Sequence, residues 1–190
     1  MSRLRQRLIL TLPSDLSAER LQAALGGGDV AAVVLPDDAA AGPSLVAAAQ
    51  AAGAAALVAG TRWPAPFGAD GLHVPADIVS RLARRPEGAM CGAAAGDRHQ
   101  AMIAGEAGAD YVWFDGGGDL SAACAFASWW QALFEVPAVV AGPSDQASLE
   151  AMIVSRAEFV AMVDVFGDDR NEAALVARAN LALDGAEGAI

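Results

Sequence analysis

Lysine is absent from this chain of 190 residues, and arginine supplies all 12 of its basic side chains. Without lysine, Schiff-base chemistry and a phosphate loop built on lysine are excluded. The 23 acidic residues bring the formal net charge to −11. Because nucleic acids and anionic membrane surfaces are bound by concentrated positive charge, we expect neither as a partner.

Cysteine and long hydrophobic runs are also scarce. The two cysteines, Cys91 and Cys124, are too few for a disulfide framework, so we expect buried free thiols. No apolar stretch reaches the ~18 uninterrupted residues of a membrane span. The apolar run 8–10 is too short for the core of a signal peptide. These features predict a cytoplasmic protein.

Short apolar runs alternate with helical patterns along the whole chain. Strands are predicted at 7–12, 30–35, 54–59, 71–74, 89–93, 110–114, 137–141 and 159–163. Helices are predicted at 17–25, 43–52, 76–85, 98–107, 121–134, 145–155 (with Ser144 as N-cap) and 171–183. Strands that are apolar throughout are typical of a parallel sheet buried on both faces. The prediction is an α/β fold, a compact (β/α)8 TIM barrel, in one domain over residues 1–190. An open doubly wound sheet is the alternative.

Several segments, taken together, resemble one known family. Residues 70–74 read Asp-Gly-Leu-His-Val, which is similar to the DGVHL strand of the thiamin phosphate synthase and TenI family. Cys91-Gly92 resembles the family's GxS strand, and 107–112 resembles its AxxxGADYV segment. The segments 136–142 and 159–163 resemble its last two strands. The resemblance implies a (β/α)8 barrel, the coupling of a pyrimidine diphosphate to a thiazole phosphate, and Mg²⁺ as the cofactor.

The chain departs from the family where phosphate and metal are held. After the second strand the family has QLRxK, whereas this chain has Pro36-Asp37-Asp38. After the third strand, Gly60-Thr61 replaces an Asn-Asp pair, and after the sixth the segment 115–119 replaces GPxxxTxTK. The histidine of the TenI-type tautomerases is missing from that loop as well. We therefore predict a synthase-like protein with weak or no coupling activity and assign no catalytic residue. The alternatives are a non-catalytic relative that binds a ligand or partner, and an enzyme that acts on another substrate through a metal and rim aspartates.

Candidate site residues follow from the resemblance and from the rule that barrel sites lie at the carboxyl ends of the strands. For a small phosphorylated ligand the candidates are Gly142, Ser144, Val163, Asp164 and Arg62. Asp164 stands where the family has a phosphate-holding serine. Asp77 is the candidate metal ligand, offset by one residue from the family's aspartate. The expected pocket rim consists of Asp37, Asp38, His73, Asp115 and Asp119. Helix caps and turns are the alternative role for these aspartates, and a structural role is the alternative for His73.

Glycines and aromatic residues leave further interpretations open. The run Gly116-Gly117-Gly118 offers backbone N–H groups to an anion, although Asp115 and Asp119 flank it. The loop with Trp63, Pro66 and Phe67 is interpreted as a lid, a plug or a subunit contact. Adjacent tryptophans on one helix cannot face the same way, so of Trp129 and Trp130 we expect one in the core. The other would be partly exposed as the anchor of a homodimer.

Overall fold

Eight parallel strands form a closed barrel in chain order, with β1 paired to β8. The structure is a computed structural model that describes residues 5–187, so residues 1–4 and 188–190 of the predicted domain lie outside the described residues. The strands are β1 (Arg7–Thr11), β2 (Val30–Pro36), β3 (Ala55–Ala59), β4 (Gly71–Pro75), β5 (Met90–Ala94), β6 (Tyr111–Phe114), β7 (Ala138–Gly142) and β8 (Phe159–Met162). The barrel prediction is confirmed, and the open sheet is wrong.

Six α-helices surround this barrel in the described part of the chain. They are α1 (Ala18–Leu25), α2 (Gly42–Ala51), α3 (Arg98–Glu106), α4 (Leu120–Leu133), α5 (Gln146–Val154) and α6 (Glu172–Glu187). None of the described helices is long and apolar enough to cross a membrane.

The connection after β4 differs from the prediction. Instead of an α-helix over 76–85, the chain forms a short 3₁₀ helix, Ala76–Arg81, and Leu82 is already extended (φ −61°, ψ 143°). Pro86 disfavours a helical conformation at Arg85, so the predicted last turn could not form. Short 3₁₀ turns are common as connectors, whereas a run of six residues such as this one is uncommon.

The start of α5 also differs from the prediction. Asp145, not Ser144, is its N-cap, and the Asp145 carboxylate accepts the Ser148 N–H at 3.0 Å and the Ser148 hydroxyl at 2.6 Å. Aspartate and serine are comparable N-caps. Ser144 is instead buried before the helix, where its backbone and side chain are held by the β8–α6 segment and α6.

An acidic residue immediately precedes each even-numbered strand. Asp70 accepts the Ala56 N–H at 2.8 Å, and Asp110 accepts the Cys91 N–H at 2.7 Å. In the same way Glu158 accepts the Ala138 N–H at 2.7 Å. Before β2, Asp29 binds the guanidinium groups of Arg5 and Arg7. Each carboxylate satisfies donors at the amino-terminal end of the preceding strand, so these acids fasten neighbouring strands on the face opposite the expected site.

Side chains alternate between an outer layer and the barrel interior. On β1, Leu8 and Leu10 pack outward against the helices, whereas Ile9 points inward. The interior is filled by one small cluster, whose members are Ile9, Ala32, Val34, Leu57, Tyr111, Trp113, Val139, Ala141 and Ala161. The barrel interior is therefore a packed core and not a channel for a ligand.

The loop after β3 takes the place of a helix in the outer layer. Trp63 and Phe67 pack against the outer part of the core. The Phe67 ring lies over α2, 2.5 Å from where a Cβ on Gly42 would be. Neither ring lines the mouth pocket or the interior, so the lid and plug interpretations are wrong. A subunit contact stays a prediction.

The two adjacent tryptophans of α4 have different environments, as predicted. Trp130 is buried, and its Nε1 donates to the Val136 carbonyl at 2.7 Å. Trp129 is half-buried, with the Arg98 guanidinium carbon 4.8 Å from its ring centroid. A role for Trp129 in a homodimer stays a prediction.

Candidate functional site

A pocket of about 300 Å³ lies at the carboxyl ends of β2 to β5. Its lining residues are Asp37, Ala59, Gly60, Thr61, His73, Val74, Pro75 and Ala94. The structure thus places Asp37, which follows β2, and His73, which lies within β4, in the lining of one pocket. Among the described residues that line it, Asp37 is the one acid and none is an arginine.

His73 is fixed by aromatic neighbours at the base of this pocket. Its Nδ1 and the Tyr111 hydroxyl are 2.8 Å apart, and the two rings are stacked with centroids 5.8 Å apart. Trp113 meets the imidazole edge-on at 5.0 Å. A hydrogen bond at Nδ1 leaves Nε2 as the nitrogen free to meet a ligand.

Tyr111 fits beside His73 because β5 has a glycine opposite it. Gly92 pairs with Tyr111 in the barrel register, and a Cβ on Gly92 would lie 1.8 Å from the tyrosine Cζ. Tyr111 and Gly92 were not predicted from the sequence as parts of the site. The signal available was that Tyr111 is the single tyrosine of the chain and begins an apolar strand.

Burial keeps the imidazole uncharged. It lowers the pKa of His73 to about 4, while the nearby Asp115 carboxylate opposes the shift. Burial also raises the pKa of Tyr111, so the phenol keeps its proton. The pair is therefore a neutral hydrogen-bonding unit, suited to a ring nitrogen or hydroxyl rather than to a phosphate.

The lowered pKa of His73 predicts a pH-dependent stability. Folded His73 has a pKa of about 4, below the 6.5 of an unfolded histidine, so the unfolded chain takes up the proton first as the pH falls. The contribution of neutral His73 to the free energy of unfolding is fully present above pH ~6.5 and is lost progressively towards pH ~4. Between pH 7 and pH 5 we expect the wild type to lose about 2 kcal/mol relative to His73→Gln in urea unfolding.

His99→Gln is the matched control for this measurement, because His99 is exposed on α3. It should keep the pH-dependent loss of stability seen in the wild type, because His73 and its contacts with Tyr111 and Trp113 are unchanged. If His73→Gln loses as much stability between pH 7 and pH 5 as the wild type does, the claim that folded His73 stays neutral is wrong.

Two rim aspartates are occupied as caps. Asp115 accepts the Gly117 N–H at 2.9 Å, and Asp119 accepts the Ser121 N–H at 2.9 Å at the start of α4. The N–H groups of Gly118 and Asp119 donate to carbonyls within the same turn. Three N–H groups of this loop thus already donate to acceptors within the loop. The glycine run therefore does not offer them to an anion.

The remaining rim and metal candidates lie apart from the pocket. Asp38 and Arg62 are exposed, and neither lines it. Asp77 is exposed as well and is 3.4 Å from Arg81 on the next helical turn. Within residues 5–187, no three His, Cys, Asp or Glu side chains form a group that could hold a metal ion.

The phosphate candidates on β7 and β8 are gathered at one place. Val163 donates its N–H to the Gly142 carbonyl at 3.1 Å, so the two strand ends are joined. Next to them the Asp164 carboxylate accepts the Ser144 N–H at 2.7 Å. Arg170, which was not predicted from the sequence as a site residue, contacts both Ser144 and Asp164.

The two cysteines are free thiols, as expected. Cys91 is buried in β5 and Cys124 is half-buried in α4. Burial raises the pKa of both thiols, which keeps them protonated and unreactive.

A closed parallel barrel with its pocket at the carboxyl ends of the strands places this chain among the (β/α)8 barrel proteins, the class in which active sites occupy that face. The fold is similar to that of the thiamine phosphate pyrophosphorylase of Pyrococcus furiosus, with a TM-score of 0.72, 16% identity, and coverage of 95% of this chain and 96% of that one. The family model for thiamine monophosphate synthase matches residues 9–166. The chain belongs to this family.

Two curated relatives agree with this assignment. A thiamine-phosphate synthase of Rhodospirillum centenum is 35% identical over 130 residues, which are 62% of this chain and 63% of the relative. A thiamine-phosphate synthase of Erythrobacter litoralis is 33% identical over 120 residues, 54% of this chain and 55% of the relative. The matches thus span between about half and two thirds of the curated relatives' length.

Proposed function

We propose that this thiamine-phosphate-synthase-like protein binds an unphosphorylated ring compound of thiamin chemistry at the barrel mouth and has weak or no coupling activity. One observation carries the proposal. The mouth pocket of a family barrel is lined here by a neutral histidine and one acid, Asp37, and none of its described lining residues is an arginine. A diphosphate needs cations or metal ions at this place, because its charge is otherwise repelled by the acidic rim.

Magnesium fits the chain poorly. The resemblance implies Mg²⁺, which prefers carboxylate oxygens in octahedral geometry. The candidate ligand Asp77 points to solvent and is paired with Arg81. The described residues gather no group of three ligands around it.

Charge favours the unphosphorylated form of thiamin as the ligand. Thiamin has a permanently cationic thiazolium ring, whereas a phosphate makes the molecule anionic. Asp37 lines the pocket, and the Asp115 carboxylate is near enough to His73 to oppose the lowering of its pKa. An acidic mouth with a neutral imidazole at its base favours a cation and supplies one hydrogen bond for ring recognition. We place this function in the cytoplasm.

The test is calorimetric titration of the wild type with thiamin. We expect saturable binding that weakens at least tenfold in His73→Gln and is unchanged in His99→Gln. Since His73 lines the pocket and His99 is exposed on α3, the pair separates loss of a pocket contact from loss of a histidine. No saturable binding of thiamin to the folded wild type would overturn the proposal.

A further inference from the structure

The Asp164 carboxylate is bound by hydrogen-bond donors of Ser144 and Arg170 at the ends of β7 and β8. One oxygen accepts the Ser144 N–H at 2.7 Å, and the other is 3.3 Å from Arg170 Nη2. Arg170 Nη1 also donates to the Ser144 hydroxyl at 2.8 Å. The carboxylate, a backbone amide, a hydroxyl and a guanidinium therefore form one closed network.

Ser144 is held firmly within this network. It is 1% exposed, and its carbonyl accepts a hydrogen bond of 2.7 Å from Arg178 on α6. A buried backbone amide near the start of a helix, with two arginines beside it, is the donor set that binds anions in many proteins. In (β/α)8 barrels the loops after strands 7 and 8 commonly provide such a site.

We propose that Asp164 is a specificity-determining residue, a built-in anion that keeps the donors of Ser144 and Arg170 from meeting a phosphate. This inference rests on the proposed function only in assigning the ligand to the barrel mouth. A phosphate arriving here must either displace the carboxylate from its partners or lie against its negative charge. Both are unfavourable, so the mouth takes ligands that lack a phosphate at this end.

The experiment measures the affinity of inorganic phosphate, followed by amide chemical shifts or by calorimetry. In Asp164→Ser the charge is removed and the shorter side chain frees the Ser144 N–H and Arg170. We expect phosphate to bind at least tenfold more tightly to this variant than to the wild type. Asp164→Asn removes the charge but can still accept from Ser144, so its gain should be smaller.

Asp168→Asn is the matched control, because Asp168 is an exposed acid of the same loop and the substitution removes the same charge. Phosphate affinity in this variant should remain close to that of the wild type. An additional change, Arg170→Ala, should abolish the gain of Asp164→Ser. Thermal unfolding verifies that each variant is folded.

A folded Asp164→Ser that binds phosphate no more tightly than Asp168→Asn would overturn the inference. If Asp164→Ser fails to fold, Asp164→Asn must still exceed Asp168→Asn, and equality there overturns it as well. The probe is phosphate alone, so these results do not depend on whether the protein binds thiamin or couples the family's substrates.

Discussion

The wild-type protein is expected to form no thiamin phosphate above background from the pyrimidine diphosphate, the thiazole phosphate and Mg²⁺. The coupling reaction must hold a diphosphate leaving group, and this chain offers no lysine for it. Asp37 lines the pocket, and the Asp164 carboxylate already accepts the Ser144 N–H at the ends of β7 and β8. Working enzymes turn over at roughly 1–10³ s⁻¹, so the expected difference spans several orders of magnitude.

The measurement is a product assay with the synthase of Rhodospirillum centenum as the working control at the same enzyme concentration. Raising Mg²⁺ should restore nothing, because the candidate ligand Asp77 is exposed and paired with Arg81. Turnover by the wild type within the range of ordinary enzymes would contradict the expectation and would mean that the changed loops still bind both phosphates.

Replacing Gly92 with alanine is expected to destabilise the barrel by about 3 kcal/mol or more, because overpacking of a filled core forces neighbouring groups to move. The new Cβ would lie 1.8 Å from Tyr111 Cζ and 2.2 Å from its hydroxyl oxygen. Tyr111 is 7% exposed and surrounded by the barrel interior, so its ring has no free space to enter. Its contact with His73 should be lost together with stability.

Urea unfolding of a double-mutant cycle tests this cause. In a Tyr111→Ala background the clash is absent, so Gly92→Ala should cost less than about 1 kcal/mol there. Gly185→Ala is the control for an unhindered position, since a Cβ at Gly185 meets nothing within 4 Å. An equal cost of Gly92→Ala in both backgrounds would show that the tyrosine ring is not what the methyl group meets.

The barrel could be predicted from the sequence because each strand is a continuous apolar run and almost every strand is followed by a helical pattern. Naming Asp37 and His73 as rim residues followed from the family resemblance and from the rule that barrel sites lie at the carboxyl ends of the strands. The α-helix predicted after β4 was wrong, because apolar spacing does not distinguish a short 3₁₀ helix from an α-helix. The Trp63 loop was open to several interpretations because packing against Gly42 depends on tertiary contacts.

The partners of the site residues could not be predicted, for a physical reason. Which residue lies opposite Tyr111 depends on barrel register, and spacing along the chain does not give it. Arg170 reaches Ser144 across 26 positions of sequence, so nothing local indicates that contact. By contrast, the acids before β4, β6 and β8 had a visible signal, since Asp70, Asp110 and Glu158 each directly precede an apolar run.

The affinity ratio of thiamin to thiamin phosphate, measured by calorimetric titration of the wild-type protein, tests the central claim most directly. A neutral His73 and the acidic residue Asp37 line the pocket. At the ends of β7 and β8, the Asp164 carboxylate already accepts the Ser144 N–H. We predict that thiamin binds at least tenfold more tightly than thiamin phosphate. Tighter binding of thiamin phosphate would contradict the account.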